Sequence, residues 1–167
     1  GDDIIIIDCG FQFKEDDTPG IDYILPNTKY LEERKDKIRA LVVTHGHLDH
    51  IGGIPYIMDR IGNPPIYSRY LTTVMIQKRQ EEFPHLPPLD IKVIEDGDRI
   101  TLGDLKLRFF AVSHTIPDSM GIIIETPYGW IVNPGDIKLD HDDGIVTDAE
   151  EKEYAIFKDA NVLALMM

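Results

Sequence analysis

Four candidate metal ligands fall within six residues of this chain: His45, His47, Asp49 and His50, in Thr44-His45-Gly46-His47-Leu48-Asp49-His50-Ile51-Gly52-Gly53. They follow the apolar run Ala40-Leu41-Val42-Val43, which reads as a buried strand. In extended backbone, residues two apart point the same way, so His45 and His47 can converge on one cation. Asp49 and His50 lie one step on, where Gly52 and Gly53 let the chain turn into a helix, and can face a second cation beside the first. Imidazole and carboxylate together suit zinc and manganese. A polar loop that happens to collect histidines is the alternative. With only 6 histidines in 167 residues, the spacing argues against chance. The expected order of elements, β, α, β, α, α and then a block of strands, fits an α/β architecture in layers.

Taken in order, the rest of the chain fits such an α/β architecture. Residues 3–9 read as a strand ending at Asp8, with Cys9 packed rather than reactive. Residues 11–28, rich in Asp, Pro and Gly, form a long connection in which Asp16 and Asp17 are solvated. A polar helix is expected at 29–36, a short helix from Ile54, a brief strand at 65–67, and an amphipathic helix at 70–82 with Leu71, Val74 and Met75 inward. The Pro-rich stretch 83–88 is a connection, with His85 on the surface. Strands are expected at 91–94, 105–112, 121–125 and 130–133, with a turn at Pro127-Tyr128-Gly129. A helix over 149–158 and an apolar run at 162–166 close the chain. Asp140, His141, Asp142 and Asp143 form an acidic turn without the spacing of a calcium loop.

Composition sets outer limits. The chain has the size of one domain, with 43% hydrophobic and 28% charged residues. No apolar run reaches the roughly 18 residues of a membrane span, and the first residues hold no signal-peptide pattern. Cys9 is the only cysteine, so no internal disulfide forms and a reducing cytoplasm fits. No nucleophile elbow, Walker loop or dinucleotide fingerprint is present. The net charge of −13, without a Lys/Arg cluster, by itself argues against a nucleic-acid partner.

The flanking text argues the other way. Asp-Cys-Gly-Phe at 8–11, Gly-Ile-Asp-Tyr at 20–23, His-Ile-Gly-Gly-Ile-Pro-Tyr at 50–56 and Ser-His-Thr-Ile-Pro-Asp at 113–118 together resemble the ribonuclease J family, β-CASP ribonucleases of metallo-β-lactamase fold. The resemblance implies an αββα sandwich, with residues 1–167 as the N-terminal part of that domain and the β-CASP and C-terminal regions absent. It implies two divalent metal ions, zinc first and manganese second, and RNA as the partner, cleaved internally or from a 5′-monophosphate end. His45, His47 and His114 would hold one metal, Asp49 and His50 the other, and Asp136 would bridge. Asp49 would orient the attacking water and take its proton. Asp8 would support the metal loop without ligating, or merely end its strand. Ser113 and Thr115 would touch phosphate or serve as turn residues. The family text before the bridging aspartate is His-Thr-Gly-Asp, whereas this chain has Asn133-Pro134-Gly135-Asp136.

Two alternatives stay open: another hydrolase of the same fold acting on a thioester, lactone or small phosphodiester, and a non-catalytic metal-binding fragment. The chain opens as if inside a hairpin turned at Gly1-Asp2-Asp3 and stops on apolar residues. By resemblance, a last histidine for the second metal lies beyond it. One metal is therefore expected to be held tightly and the second weakly or not at all without a complementing chain that carries the missing half, and the open edge and apolar face favour self-association.

Overall fold

The structure, a computed structural model, describes residues 2–14, 19–138 and 148–167. In chain order the strands and helices are β1 (Ile4–Ile7), β2 (Gln12–Phe13), β3 (Tyr23–Ile24), α1 (Lys29–Glu32), β4 (Ile38–Val42), α2 (Leu48–Ile51), α3 (Ile54–Ile57), β5 (Ile66–Ser68) and α4 (Tyr70–Gln80). There follow β6 (Ile91–Val93), β7 (Arg99–Leu102), β8 (Leu105–Ala111), β9 (Met120–Thr126), β10 (Gly129–Asn133), α5 (Asp148–Tyr154) and β11 (Val162–Leu165). One sheet has the order β1-β4-β5-β6 and is parallel throughout. A second has the order β11-β10-β9-β8-β7 and is antiparallel except between β10 and β11, and β2 and β3 form a short antiparallel pair within the stretch expected to be an irregular connection.

Side-chain alternation along the strands builds three apolar layers. On β4, Leu41 and Val43 face the helices, packing with Ile51, Ile54, Ile57 and Ile76. Ala40 and Val42 face the second sheet, against Leu107, Phe109, Met120 and Ile122. The outer face of that sheet, Phe110, Val112, Ile123 and Val132, is covered by Tyr154, Ile156 and Phe157. The order is helix, sheet, sheet, helix, as expected. Each fully buried aliphatic side chain contributes about 1.5–3 kcal/mol, so the inter-sheet layer fixes how the two sheets meet.

Some elements differ from expectation. β7 was not expected. It pairs with β8 across a two-residue turn at Gly103-Asp104, and Ile100 and Leu102 pack on the inter-sheet layer. α1 is shorter than expected, and a 3-10 turn at Lys35–Lys37 replaces its second half. α4 buries Thr72, Thr73 and Ile76 rather than the Leu71, Val74, Met75 stripe, and Val74 is exposed. Its apolar residues spread over a wide arc, so tertiary packing chose the face. Gly1, the Asp16-Asp17 pair and the acidic turn from Asp140 to Asp143 lie outside the described residues.

Candidate metal centre

The side chains of the site come from strand ends and from the short helix α2, which carries Asp49 and His50 and is preceded by His47. β1 delivers Asp8, β4 delivers Thr44 and His45, β8 is followed by His114, and β10 by Asp136. β1 and β4 are parallel neighbours; β8 and β10 both run antiparallel to β9, so they end at the same edge. The sheets are joined there by Met120 N donating to Thr44 O at 3.0 Å. Gly10 permits the closest approach. A Cβ on it would sit 1.5 Å from the Asp49 carbonyl oxygen, so only glycine lets the chain after β1 pass under the metal loop.

Five of the six sequence-predicted ligands converge, and Asp49 does not join either donor group. His45 Nε2 and His47 Nδ1 are 3.0 Å apart, and His114 Nε2 is 3.3 Å from the same His47 nitrogen. Beside them, Asp136 Oδ2 lies 3.5 Å from His50 Nε2 and 3.8 Å from His114 Nε2. One ligand atom from each of His45, His47 and His114 falls within a 4.8 Å set, and likewise for His45, His50 and Asp136. Asp49 stands at the rim, half exposed, its Oδ2 3.8 Å from His50 Nε2.

Behind the ligands the hydrogen bonding is dense. Asp8, at φ 60, accepts from Thr44 N at 2.8 Å, from Thr44 Oγ1 at 2.9 Å and from His50 Nδ1 at 2.8 Å. Thr44 Oγ1 also meets His45 Nδ1 at 3.0 Å. These contacts fix two ring planes by their far nitrogens, leaving the near ones for a ligand. Sequence reading singled out Asp8 but missed Thr44. A β-branched hydroxyl between a buried strand and the first histidine was the available signal.

Electrostatics follow from burial and from Asp8. Burial, then the neighbouring His50 and His114, pushes the His45 imidazole down to about 4, so it is neutral at pH 7. Burial also opposes charging of His50, but the hydrogen bond and charge of Asp8, with Asp136 and Asp49, outweigh it and hold His50 above its ordinary value. His114 is lowered, chiefly by burial. Cys9 is buried, and burial followed by the Asp8 charge pushes its thiol up to about 12, which makes it inert.

A sequence profile of the metallo-β-lactamase superfamily matches residues 1–157. The chain belongs to that superfamily. Its sequence is similar to ribonuclease J of Mycoplasma pneumoniae, 41% identical over 139 residues covering 83% of this chain and 24% of that protein. It is also similar to ribonuclease J2 of Bacillus subtilis, 34% identical over 164 residues covering 98% of this chain and 29% of that protein. The chain thus spans about a quarter of the length of the curated relatives it matches. Among solved structures, a protein of unknown function from Enterococcus faecalis V583 superposes with TM-score 0.65 at 19% identity, covering 100% of this chain and 44% of that one. The Rm3 metallo-β-lactamase does so with TM-score 0.61 at 15% identity, covering 99% and 67%. Both likenesses show the fold, the αββα sandwich expected from the sequence.

The donor set fits the divalent metal that superfamily membership implies. Nitrogens bound at roughly 2.0–2.1 Å to one tetrahedral ion stand about 3.3 Å apart. The His45, His47 and His114 nitrogens are already at 3.0 and 3.3 Å, a crowding that a shared cation relieves. The departure at Asn133-Pro134 leaves Asp136 in reach. Asn133 Oδ1 accepts from Gly135 N at 2.9 Å, closing a side-chain turn across Pro134 that holds the approach to Asp136. Gly135 has φ 63 and passes over the Thr44 side chain, where a Cβ would clash at 2.8 Å. Of the two residues flanking His114, Thr115 is exposed, whereas Ser113 Oγ donates to Glu153 Oε2 at 3.1 Å.

Among the described residues, no helix is long and apolar enough to cross a membrane.

Proposed function

We propose that this chain carries the metal centre of a ribonuclease that hydrolyses RNA phosphodiester bonds. The observation that carries the reading is a pair of donor sets that share His45, His45/His47/His114 and His45/His50/Asp136, with Asp49 at the rim. Likeness to ribonuclease J over most of the chain supplies the substrate class. Bound divalent cations would polarise a phosphoryl oxygen and lower the pKa of a water molecule toward neutrality.

The remaining roles belong to the protein. His45 stays neutral at working pH and so keeps a lone pair for a cation. Thr44 and Asp8 set the ring planes of His45 and His50. Asp136 lies between the two sets, in reach of both. Asp49, half exposed and with only a long contact to His50, is free to orient the attacking water and take its proton. Thr115 is open to a phosphate oxygen, while Ser113 is engaged by Glu153 and supports the His114 loop instead. Zinc suits the three-imidazole set; manganese suits the oxygen-richer second set, which holds its cation less tightly. The chain acts as the N-terminal part of a longer enzyme, with further regions gripping the strand from the 5′ end or internally. A lone Cys9 fits a cytoplasmic setting.

One assay tests the reading. Metal-loaded protein is given labelled 5′-monophosphate RNA, then thioester and lactone substrates, and is run in an RNA gel shift. Metal-dependent RNA cleavage is expected. Ester turnover without RNA cleavage would replace the proposal by another hydrolase, and RNA binding without turnover by a non-catalytic role.

A further inference from the structure

We infer that Asp118 is a positioning residue for His114, holding the loop that carries this ligand against the start of α4. The inference rests on the reading of His45, His47 and His114 as one metal site. It starts from an asymmetry among the imidazoles. His45 and His50 each have the far ring nitrogen fixed, by Thr44 Oγ1 at 3.0 Å and by Asp8 Oδ2 at 2.8 Å. His114 Nδ1 is buried and has no hydrogen-bond partner among the described residues. With no partner on that nitrogen, the ring is held by its edge contacts with His45 and His47 and by its own backbone. What holds that backbone therefore helps to set the ligand.

The loop between β8 and β9 is closed at its base by Val112 N donating to Ser119 O at 3.1 Å. Inside it, Ser119 Oγ donates to Ile116 O at 3.0 Å. Its outer side is held by Asp118 through two hydrogen bonds. Oδ1 accepts from Arg69 Nε at 2.9 Å and Oδ2 from Leu71 N at 3.0 Å. α4 begins after Arg69, which provides no side-chain cap of its own. A carboxylate 47 residues away from Leu71 thus satisfies an amide at the helix start, where the dipole also favours it. Arg69 reaches Glu95 Oε2 at 3.8 Å as well, which ties the clamp to the end of β6.

Asp118 makes these contacts from φ 65, a left-handed conformation that glycine adopts at no steric cost. The backbone alone would be better served by glycine, so the carboxylate is what the position needs. This separates stability from positioning. Asp118→Gly removes the clamp while relieving the backbone, so the two effects on global stability oppose each other.

The test uses the whole chain, with zinc as the probe. Expected for Asp118→Gly is a 10- to 100-fold loss of affinity for the first zinc equivalent, with the urea midpoint of the metal-free protein close to that of the parent. In the metal-free protein, amide exchange of Val112 and Met120 should rise, while the His50 ring resonances stay in place. Asp118→Asn keeps one oxygen for Leu71 N and should restore part of the affinity; it also decides the matter should Asp118→Gly not fold. Parental zinc affinity and unchanged exchange in the variant that folds would overturn the inference, as would exchange rising throughout β8 and β9. If the parent chain itself bound no zinc, the metal-site reading would fall, and the exchange data would still decide whether Asp118 fixes the loop.

Discussion

Asp8 is the residue whose replacement should separate folding from metal binding most cleanly. Its carboxylate is largely buried and accepts from Thr44 N, Thr44 Oγ1 and His50 Nδ1 at 2.8–2.9 Å. In Asp8→Ala the amide of Thr44, itself 1% exposed, loses its partner, which costs about 1–3 kcal/mol. The lost hydrogen bonds from Thr44 Oγ1 and His50, and alanine at φ 60, add to this. The contributions overlap, so about 3–4 kcal/mol in total is expected for the metal-free protein. Asp8→Asn behaves differently. Asparagine tolerates the left-handed backbone, and its oxygen still accepts from Thr44 N, so the loss should be only about 1–2 kcal/mol. Its amide group, however, now donates toward His50 Nδ1. The ring proton is thereby moved to Nε2, the nitrogen that faces Asp136, and metal affinity should fall by about 10- to 100-fold. Urea denaturation in the presence of chelator measures the first effect, and competition with a chromophoric chelator the second. Parental metal affinity in Asp8→Asn, or an Asp8→Ala protein within about 1 kcal/mol of the parent, would refute the reasoning.

Three further perturbations probe the site from other sides. Asp49→Ala should reduce RNA hydrolysis by more than about 100-fold with an unchanged urea midpoint, since the side chain is 53% exposed and makes only a 3.8 Å contact to His50; undiminished turnover removes Asp49 from the chemistry. The metal-free protein should lose stability on acidification. The His45 pKa of about 4 lies below that of an unfolded histidine, so between about pH 6.5 and 4 the unfolded chain takes up a proton that the folded chain refuses, costing up to roughly 3 kcal/mol. His50, held above its ordinary value, acts oppositely: its stabilisation is full below the unfolded pKa and fades as pH rises through the folded one. Urea midpoints across this range should therefore fall less steeply in His45→Gln than in the parent, and parallel profiles would count against the assignment. Gly10→Ala should cost at least about 2–3 kcal/mol, because the added methyl meets the Asp49 carbonyl at 1.5 Å; a thermal midpoint near that of the parent would show that the loop can yield there.

What could be read from the sequence was what is local in it. Buried strand, His-x-His-x-Asp-His and the glycine pair lie within 14 consecutive residues, so periodicity and spacing were enough to single out four candidate ligands, of which the structure brings His45, His47 and His50 into donor groups. Thr44 and Asp118 escaped because their meaning lies 36 to 49 residues away, in Asp8 and in the start of α4. A threonine before a histidine and an aspartate after a proline are ordinary loop text until the sheets meet. β7 was missed although Arg99-Ile100-Thr101-Leu102 alternates and Gly103-Asp104 is a fair hairpin signal, because an edge strand of four residues with only Ile100 and Leu102 half-buried is too short for its period to stand out. In α4, apolar residues at 71, 74, 75 and 76 leave several faces nearly equal in hydrophobicity. Packing against the β4–β5 sheet, not periodicity, selected the one carrying Ile76.

The charge of the chain poses the remaining physical question, since −13 repels a polyanion. The conflict is local rather than global. Asp8, Asp49 and Asp136 gather around His50 beside a neutral His45, so without metal the centre is an anionic site that attracts cations. Two divalent ions would bring four positive charges against three carboxylates and leave the pocket net positive by one, within a surround that stays acidic. At physiological salt that surround is screened beyond about 8 Å, whereas a phosphate in contact with the cations is not. On the proposed function, metal loading would precede attraction of RNA, and the strand away from the scissile phosphate would need surfaces more basic than those of this chain. The acidic composition that seemed to exclude nucleic acid is in part what the cations need in order to gather.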